Sequence, residues 1–302
     1  MATETSDRRS LAVGWLLLAM ASLFWAGNIV IARAFRAELP PLGLTFWRWT
    51  LAALIFLPFA WPMVRKQWPV IRREARFIAV LSLLGLSGFG SLMYLGLQST
   101  TALNASFIMA MCPVVIPLVA WLATREAISG LHAVGIIVSA IGAVAIISAG
   151  NPLGLFDGDL NNGDLMVLGA MLIWSIYSVV VRHRPKDLHP YALLLTTMAL
   201  GGLVMLPLWL WEATTRPMPL TTDVLVAIGY IAVFPSIGAY FCFNRGIEVV
   251  GPTKGGLAMH LVPLFGALLA VLFLGETFHA YHAAGILAIF LGVGLVTRAG
   301  KA

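Results

Sequence analysis

The chain has 302 residues, 60% of them hydrophobic and only 11% charged, with a mean hydropathy of +0.92 and a formal net charge of +6. That much apolar side chain exceeds what a soluble domain of this length buries, which excludes a water-soluble enzyme or binding module and places the chain in lipid. The basic residues are scattered over short connectors, so the positive charge reads as a topology signal and not as a nucleic-acid surface.

A polar tail, residues 1–10 with Arg8 and Arg9, leads into an apolar run over 11–32. The two arginines, a leucine-rich core and Ala19-Met20-Ala21 imitate a signal peptide. The run continues well past that point, however, and reaches the about 20 residues that a spanning helix needs. It contains Trp25 and Asn28. The second span, 42–63, carries Arg48 between Trp47 and Trp49, roughly 10 Å from the outer end of its helix at 1.5 Å per residue. That guanidinium either snorkels outward or meets a substrate carboxylate. Spans over 77–97 with Tyr94, 101–123 with Met111 and Pro113, and 130–149 complete the first half.

A connector over 151–163, rich in Asn, Gly and Asp, opens the second half. Its spans run over 165–181 with Trp174, Tyr177 and Ser178, then 191–211, 224–243 with Tyr240, 255–274 with His260 and Pro263, and 281–296, ahead of a tail at 299–302. Cys112 and Cys242 lie inside apolar segments with no C-x-x-C or Cys/His spacing, so neither a disulfide nor a metal site is indicated and no cofactor is expected.

The two halves are copies. A shift of 150 positions lays Pro113 on Pro263, Glu126 on Glu276, His132 on His282, Gly135 on Gly285, Gly142 on Gly292 and Gly150 on Gly300; a shift of 149 lays Trp25 and Arg33 on Trp174 and Arg182. The chain therefore divides into one repeat over 11–150 and a second over 164–298. Five spans per repeat is an odd number, so the second copy sits upside down relative to the first. The expected fold is an all-α integral membrane protein of ten transmembrane helices in a 5+5 inverted-topology repeat, the plan of many secondary transporters.

Of the 19 Lys and Arg, Arg33, Arg36 and Arg216 fall on one side, Arg48 falls within a span, and the rest collect on the other side. Both termini are expected in the cytoplasm, with the 151–163 connector outside. The same topology puts Trp15, Trp61, Trp68 and Trp121 near the inner interface and Trp47, Trp49, Trp209 and Trp211 near the outer one. Trp25 and Trp174 lie deeper, at matching places in the repeats. They either hydrogen-bond a neighbouring helix or face a cavity.

Pro113 and Pro263 fall near mid-helix, where each removes a backbone hydrogen bond. In lipid such a gap persists only where it faces protein or water, so the pair is expected as hinges beside a substrate path. Gly135 and Gly142, like Gly285 and Gly292, are seven apart and mark close helix packing. Ionisable and polar groups within spans are few, and each is a candidate for binding solute. Arg48 and His260 lead, with Tyr94, Tyr240 and Asn244 as further lining. No carboxylate occupies a helix centre, so stoichiometric proton antiport of organic cations is not expected; facilitated or weakly coupled movement of a neutral or zwitterionic solute is.

The segments LFWAGNIVIAR, FWRW, LNASFIMAMCPVVIPLVAWLATRE, IWSIYSVVVR and GGLAMHLVPLFGALLAVLFLGE, on ten spans in two repeats, resemble the EamA branch of the drug/metabolite transporters over essentially the whole chain. Within that branch the sequence looks most like the YddG-type amino-acid exporters of bacterial inner membranes. The resemblance implies a central cavity between two four-helix halves, peripheral fifth and tenth helices, and alternating opening to the two sides.

An exporter of aromatic and other neutral amino acids is the leading expectation. The solute carboxylate would turn toward Arg48 or freed backbone N–H groups, its ammonium toward loosened carbonyls or an aromatic face, and its side chain among Trp25, Met111 and Trp174. Another small solute on the same fold, such as a nucleoside, a sugar conjugate or an organic cation, is the main alternative. An intramembrane serine protease is remote: Gly85-Leu86-Ser87-Gly88 offers a serine and His260 a base, but a dyad gives no reason for a duplicated architecture. The expected partners are a small-molecule solute and the lipid bilayer, with no nucleic acid, and a monomer is expected.

Overall fold

A backbone that crosses a bilayer must satisfy its own N–H and C=O groups, and helices do so within one segment. The computed structural model describes residues 2–124, 130–151, 161–251 and 258–299. Among the described residues the chain forms ten apolar helical segments: α1 (Ala2–Ala34), α2 (Pro41–Lys66), α3 (Ala75–Gly96), α4 (Ala102–Met109 and Cys112–Thr124), α5 (Gly130–Ile147), α6 (Asn162–Val180), α7 (Pro190–Thr215), α8 (Thr222–Val250), α9 (Ala258–Leu274) and α10 (Ala280–Ala299). Seven are long and apolar enough to cross a membrane unbroken, α4 is a bent pair, and two are shorter apolar helices.

Helix starts follow from local chemistry. Pro41 and Pro190 occupy the first turns of α2 and α7, where the missing N–H costs nothing. Thr101, Asn161 and Thr221 cap α4, α6 and α8 by accepting from the N–H of Asn104, Gly163 and Val224. Two helix N-termini receive carboxylates from distant elements. Glu212 of α7 accepts from the N–H of Gly43 at 2.7 Å, and Glu276 accepts from those of Ala102 and Leu103 at 2.8 and 2.9 Å. Negative charge is favoured at both places by the helix dipole.

The inversion is visible in the packing of α5 on α10. A Cβ on Gly135 would lie 2.7 Å from the Gly292 carbonyl oxygen, and one on Gly142 2.5 Å from that of Gly285. Gly285 is the counterpart of Gly135 and Gly292 of Gly142, so each glycine touches the equivalent of the other. That reciprocity is the signature of a two-fold axis. Ser139 Oγ donates to the carbonyl of Ile289, its own counterpart, at 3.2 Å, which puts the axis there. Equivalent helices running antiparallel across this axis require the repeats to have opposite orientations. The remaining contacts obey the same rule: α1 packs on α8 and α9, as α6 packs on α3 and α4, while α2 pairs with α7 and α4 with α9.

Three details differ from the sequence expectation. The eighth span extends to Val250, well past residue 243, because Arg245 and Glu248 form an exposed ion pair at 2.6 Å that solvates its last turns. Pro113 and Pro263 do not interrupt continuous helices. α4 is bent by 46° at Ala110 and Met111, so Pro113 enters the first turn of its second half. Pro263 likewise stands near the start of Leu261–Leu274, after a tight turn at Ala258–His260. Finally, α3 and α8 each contain a π-helical turn, Ser82–Gly88 and Phe234–Gly238, at matching places in the two copies. Glu126, part of the repeat alignment, lies outside the described residues.

Candidate functional site

The breaks in α3, α4, α8 and α9 surround one cavity of about 300 Å³ near the middle of the bundle. Its wall takes Trp25 and Asn28 from α1, Arg48 and Trp49 from α2, Gly85, Phe89 and Met93 from α3, and Met109, Cys112 and Pro113 from α4. Trp174 of α6, Tyr240 of α8, and Met259, His260 and Pro263 of α9 close it. Both repeats contribute, and π-helical turns, which are frequent at functional sites, flank it on two sides.

Arg48 is the one charged residue among the described lining, and it does not snorkel: its exposure is 4%. Nε donates to Ser236 Oγ at 2.8 Å, and Nη1 donates to the Tyr94 hydroxyl at 2.9 Å. The Ser236 hydroxyl in turn donates to the carbonyl of Ile231, five residues back across the π-helical turn. Tyr94 donates to Asn28 Oδ1 at 2.7 Å. The guanidinium carbon also lies 4.3 Å from the centroid of the Trp49 ring, within cation–π range. The chain Arg48, Tyr94, Asn28 thus joins α2, α3 and α1.

The rest of the wall is apolar and aromatic. Trp25 Nε1 donates to the Pro235 carbonyl at 3.2 Å, and its ring meets Tyr240 edge-on with centroids 6.1 Å apart. Trp174 lies between Phe89, at 5.0 Å, and Tyr177, at 5.1 Å. The His260 ring stands edge-on to Phe290 at 5.9 Å.

The structure brings most of the sequence candidates together. Trp25, Asn28, Arg48, Trp174, Tyr240, His260, Pro113 and Pro263 line the cavity. Tyr94 is buried behind Arg48 and reaches the cavity only through Arg48 and Asn28. Tyr177 lies behind Trp174, against Gly85, where a Cβ would come within 2.5 Å of its ring. Ser178 is turned onto its own helix, donating to the Trp174 carbonyl, and Met111 packs in the core beside the α4 bend. Asn244 is exposed and takes no part. Trp49, expected at the outer interface, is instead 2% exposed, with Nε1 on the Leu86 carbonyl at 3.1 Å. Depth along a helix is legible in sequence, whereas the face a residue occupies is not. Ser236 and Phe89 were missed; a Pro235-Ser236 pair inside an apolar span was the available signal.

Ser87 of the G-x-S-G segment donates to the Gly201 carbonyl at 3.2 Å and is buried against α7. No nucleophile–base pair forms there.

A polar seam closes the bundle on the face where α1 ends. Arg33 Nη1 donates to the carbonyls of Leu97 and Gln98 at 2.9 and 3.1 Å, and its Nε lies 3.9 Å from Glu276. Arg216 donates to Gln98 Oε1 at 2.9 Å and to the carbonyls of Arg36 and Ala37. Asp164, 1% exposed, accepts from Thr100 Oγ1 and from Asn104 Nδ2, and Asn104 Oδ1 meets His282 Nε2 at 3.1 Å. This carboxylate sits in the first turn of α6, outside the cavity wall.

A family model described as the EamA-like transporter family matches residues 12–148 and 161–298, one match per repeat. The chain is similar to the uncharacterized transporter YyaM of Bacillus subtilis, at 26% identity over 92% of each chain. It is also similar to an uncharacterized transporter of Archaeoglobus fulgidus, at 27% identity over 93% of this chain and 96% of that one. The uncharacterized inner membrane transporter YicL of Salmonella typhimurium is 25% identical, over 94% and 95% respectively. A crystal structure of another protein superposes with a TM-score of 0.62 at 18% identity, over 96% of this chain and 98% of that one, which supports the fold alone.

Proposed function

Because this chain belongs to the EamA-like transporter family, and is therefore a multi-pass membrane transporter and not an enzyme, we propose that it exports aromatic and other neutral amino acids from the bacterial cytoplasm by alternating access. The single observation that supports this reading is a mid-bundle cavity with aromatic walls and one fixed charge, Arg48. A zwitterion sets its carboxylate toward that cation and its ammonium against aromatic faces. Its side chain lies between Trp25 and Trp174. Asn28, Arg48, Tyr240 and His260 complete the contacts, with Tyr94, Met111, Tyr177 and Ser178 supporting them from behind. The first-turn prolines Pro113 and Pro263 serve as hinges where the two repeats rock.

Movement is facilitated or weakly coupled, since no carboxylate is among the described lining residues to carry a proton. The distribution of Lys and Arg favours both termini in the cytoplasm, with the Arg33 face outside. Counterflow of labelled solutes into liposomes loaded with a panel of amino acids, nucleosides and organic cations tests the proposal. Saturable exchange of phenylalanine or leucine is expected; exchange confined to nucleosides or cations would overturn it.

A further inference from the structure

The polar corner of the cavity can be read proton by proton. Arg48 has donors only and never gives up its charge. Its Nη1 hydrogen therefore obliges the Tyr94 oxygen to accept, and Tyr94 must pass its own proton onward, which it does at 2.7 Å to Asn28. The Asn28 atom that receives it is the carbonyl oxygen Oδ1, the orientation in which the Tyr94 hydroxyl both accepts from Arg48 and donates. The consequence is that the Asn28 NH2 group is left over, on a residue lining the cavity and without a partner among the described residues. Arg48 Nη2 is left over in the same way, on a residue only 4% exposed. Ser236, the remaining neighbour, accepts from Arg48 and spends its proton on Ile231. Trp25 Nε1 is spent on Pro235. Tyr94, Ser236 and Asn28 Oδ1 are thus each engaged, the Tyr240 hydroxyl stands in the same wall, two donors of the Arg48 network remain, and the positive charge has no carboxylate within ion-pair distance among the described residues.

An unneutralised cation at this depth is costly, and its partner is a functional question by default. We propose that Arg48 Nη2 and Asn28 Nδ2 form an anion subsite that selects a carboxylate bearing an apolar, preferably aromatic, body, and that the ligand's ammonium group is dispensable. The inference rests on the proposed amino-acid reading and narrows it: the site requires the acid end of the solute and tolerates deaminated acids, while it rejects amines. The carboxylate takes one hydrogen bond from each donor and removes the charge penalty. The ammonium meets no carboxylate in the described wall, so its loss forfeits little. Phe89, Met93 and Trp174 receive the body.

The test uses the purified full-length protein and three probes that share one ring: L-phenylalanine, 3-phenylpropionate and phenethylamine. Binding is titrated in detergent by calorimetry, and competition is read against labelled phenylalanine counterflow. The expected result is that 3-phenylpropionate binds and competes comparably to phenylalanine, while phenethylamine does neither. Binding of phenethylamine comparable to that of the acid, or binding of phenylalanine without 3-phenylpropionate, would overturn the inference while leaving amino-acid export standing. Absence of amino-acid counterflow alongside binding of the acid would sink the export reading and leave the anion subsite intact; binding of none of the three sinks the subsite. Arg48→Gln should weaken acid binding at least about tenfold, the order expected for a lost bond to a charged group. Asn28→Asp, which leaves Arg48 in place and neutralises it from within the protein, should do the same. Acid binding unchanged in Asn28→Asp would contradict the assignment.

Discussion

Glu276 lies 3.9 Å from Arg33 Nε while its two oxygens hold the first N–H groups of α4. One carboxylate therefore joins the end of α1, the start of α4 and the end of α9, three elements from both repeats, on a single face. Opening that face requires these bonds to part together. Glu276→Gln keeps the shape and removes the charge, at a cost on the order of 1–2 kcal/mol, which is a roughly 5- to 30-fold shift in a two-state population. The expected outcome is faster labelling, from the Arg33 face, of a cysteine placed at Met109 in a protein otherwise lacking cysteine. Labelling at the parental rate would show that the seam does not hold the closed state.

Tyr94 touches the cavity only through Arg48 and Asn28. Tyr94→Phe leaves both without their shared partner but keeps the cation, so the guanidinium loses aim and not charge. Half-saturation of phenylalanine counterflow should rise by about tenfold, from one lost bond to a charged group, with less loss than in Arg48→Gln. Equal loss in the two variants would mean that Arg48 acts only through its orientation.

Gly142 and Gly292 are equivalent positions that both meet the opposite backbone on the α5–α10 axis. Leucine at either should cost on the order of 2 kcal/mol by overpacking. The apparent melting temperature in detergent should fall by similar amounts in Gly142→Leu and Gly292→Leu. A drop in one variant alone would break the two-fold relation.

The buried carboxylates Asp164 and Glu212 are engaged at helix ends, and neither lines the cavity. A pH gradient imposed on sealed liposomes should therefore leave phenylalanine at its equilibrium distribution. Accumulation driven by that gradient would show proton coupling.

Much of this architecture is written in the chain. Continuous apolar runs give the spans, and the offset of Pro113, Gly135 and Gly142 from Pro263, Gly285 and Gly292 gives the two-fold relation that α5 and α10 display. That relation also singled out Trp25 and Trp174, which the structure places on one cavity. What could not be read is rotation about each helix axis. Trp49 and Arg48 are neighbours near an end of α2, and only packing against α3 and α8 turns both inward. The π-helical turns were hidden as well: such turns are rare, and an apolar run reads the same with or without one. Ser236, held in one such turn, was invisible until the turn was.

Flux through a protein whose Arg33 face is tied shut separates a carrier that rocks around its cavity from any other arrangement. Arg33→Cys and Glu276→Cys, introduced with Cys112→Ser and Cys242→Ser, can be bridged by a short cross-linker cleavable by reduction. Phenylalanine counterflow should fall to the level of protein-free liposomes when the bridge is made and return when it is cut. Counterflow that continues undiminished across the bridged protein would contradict alternating access through this face.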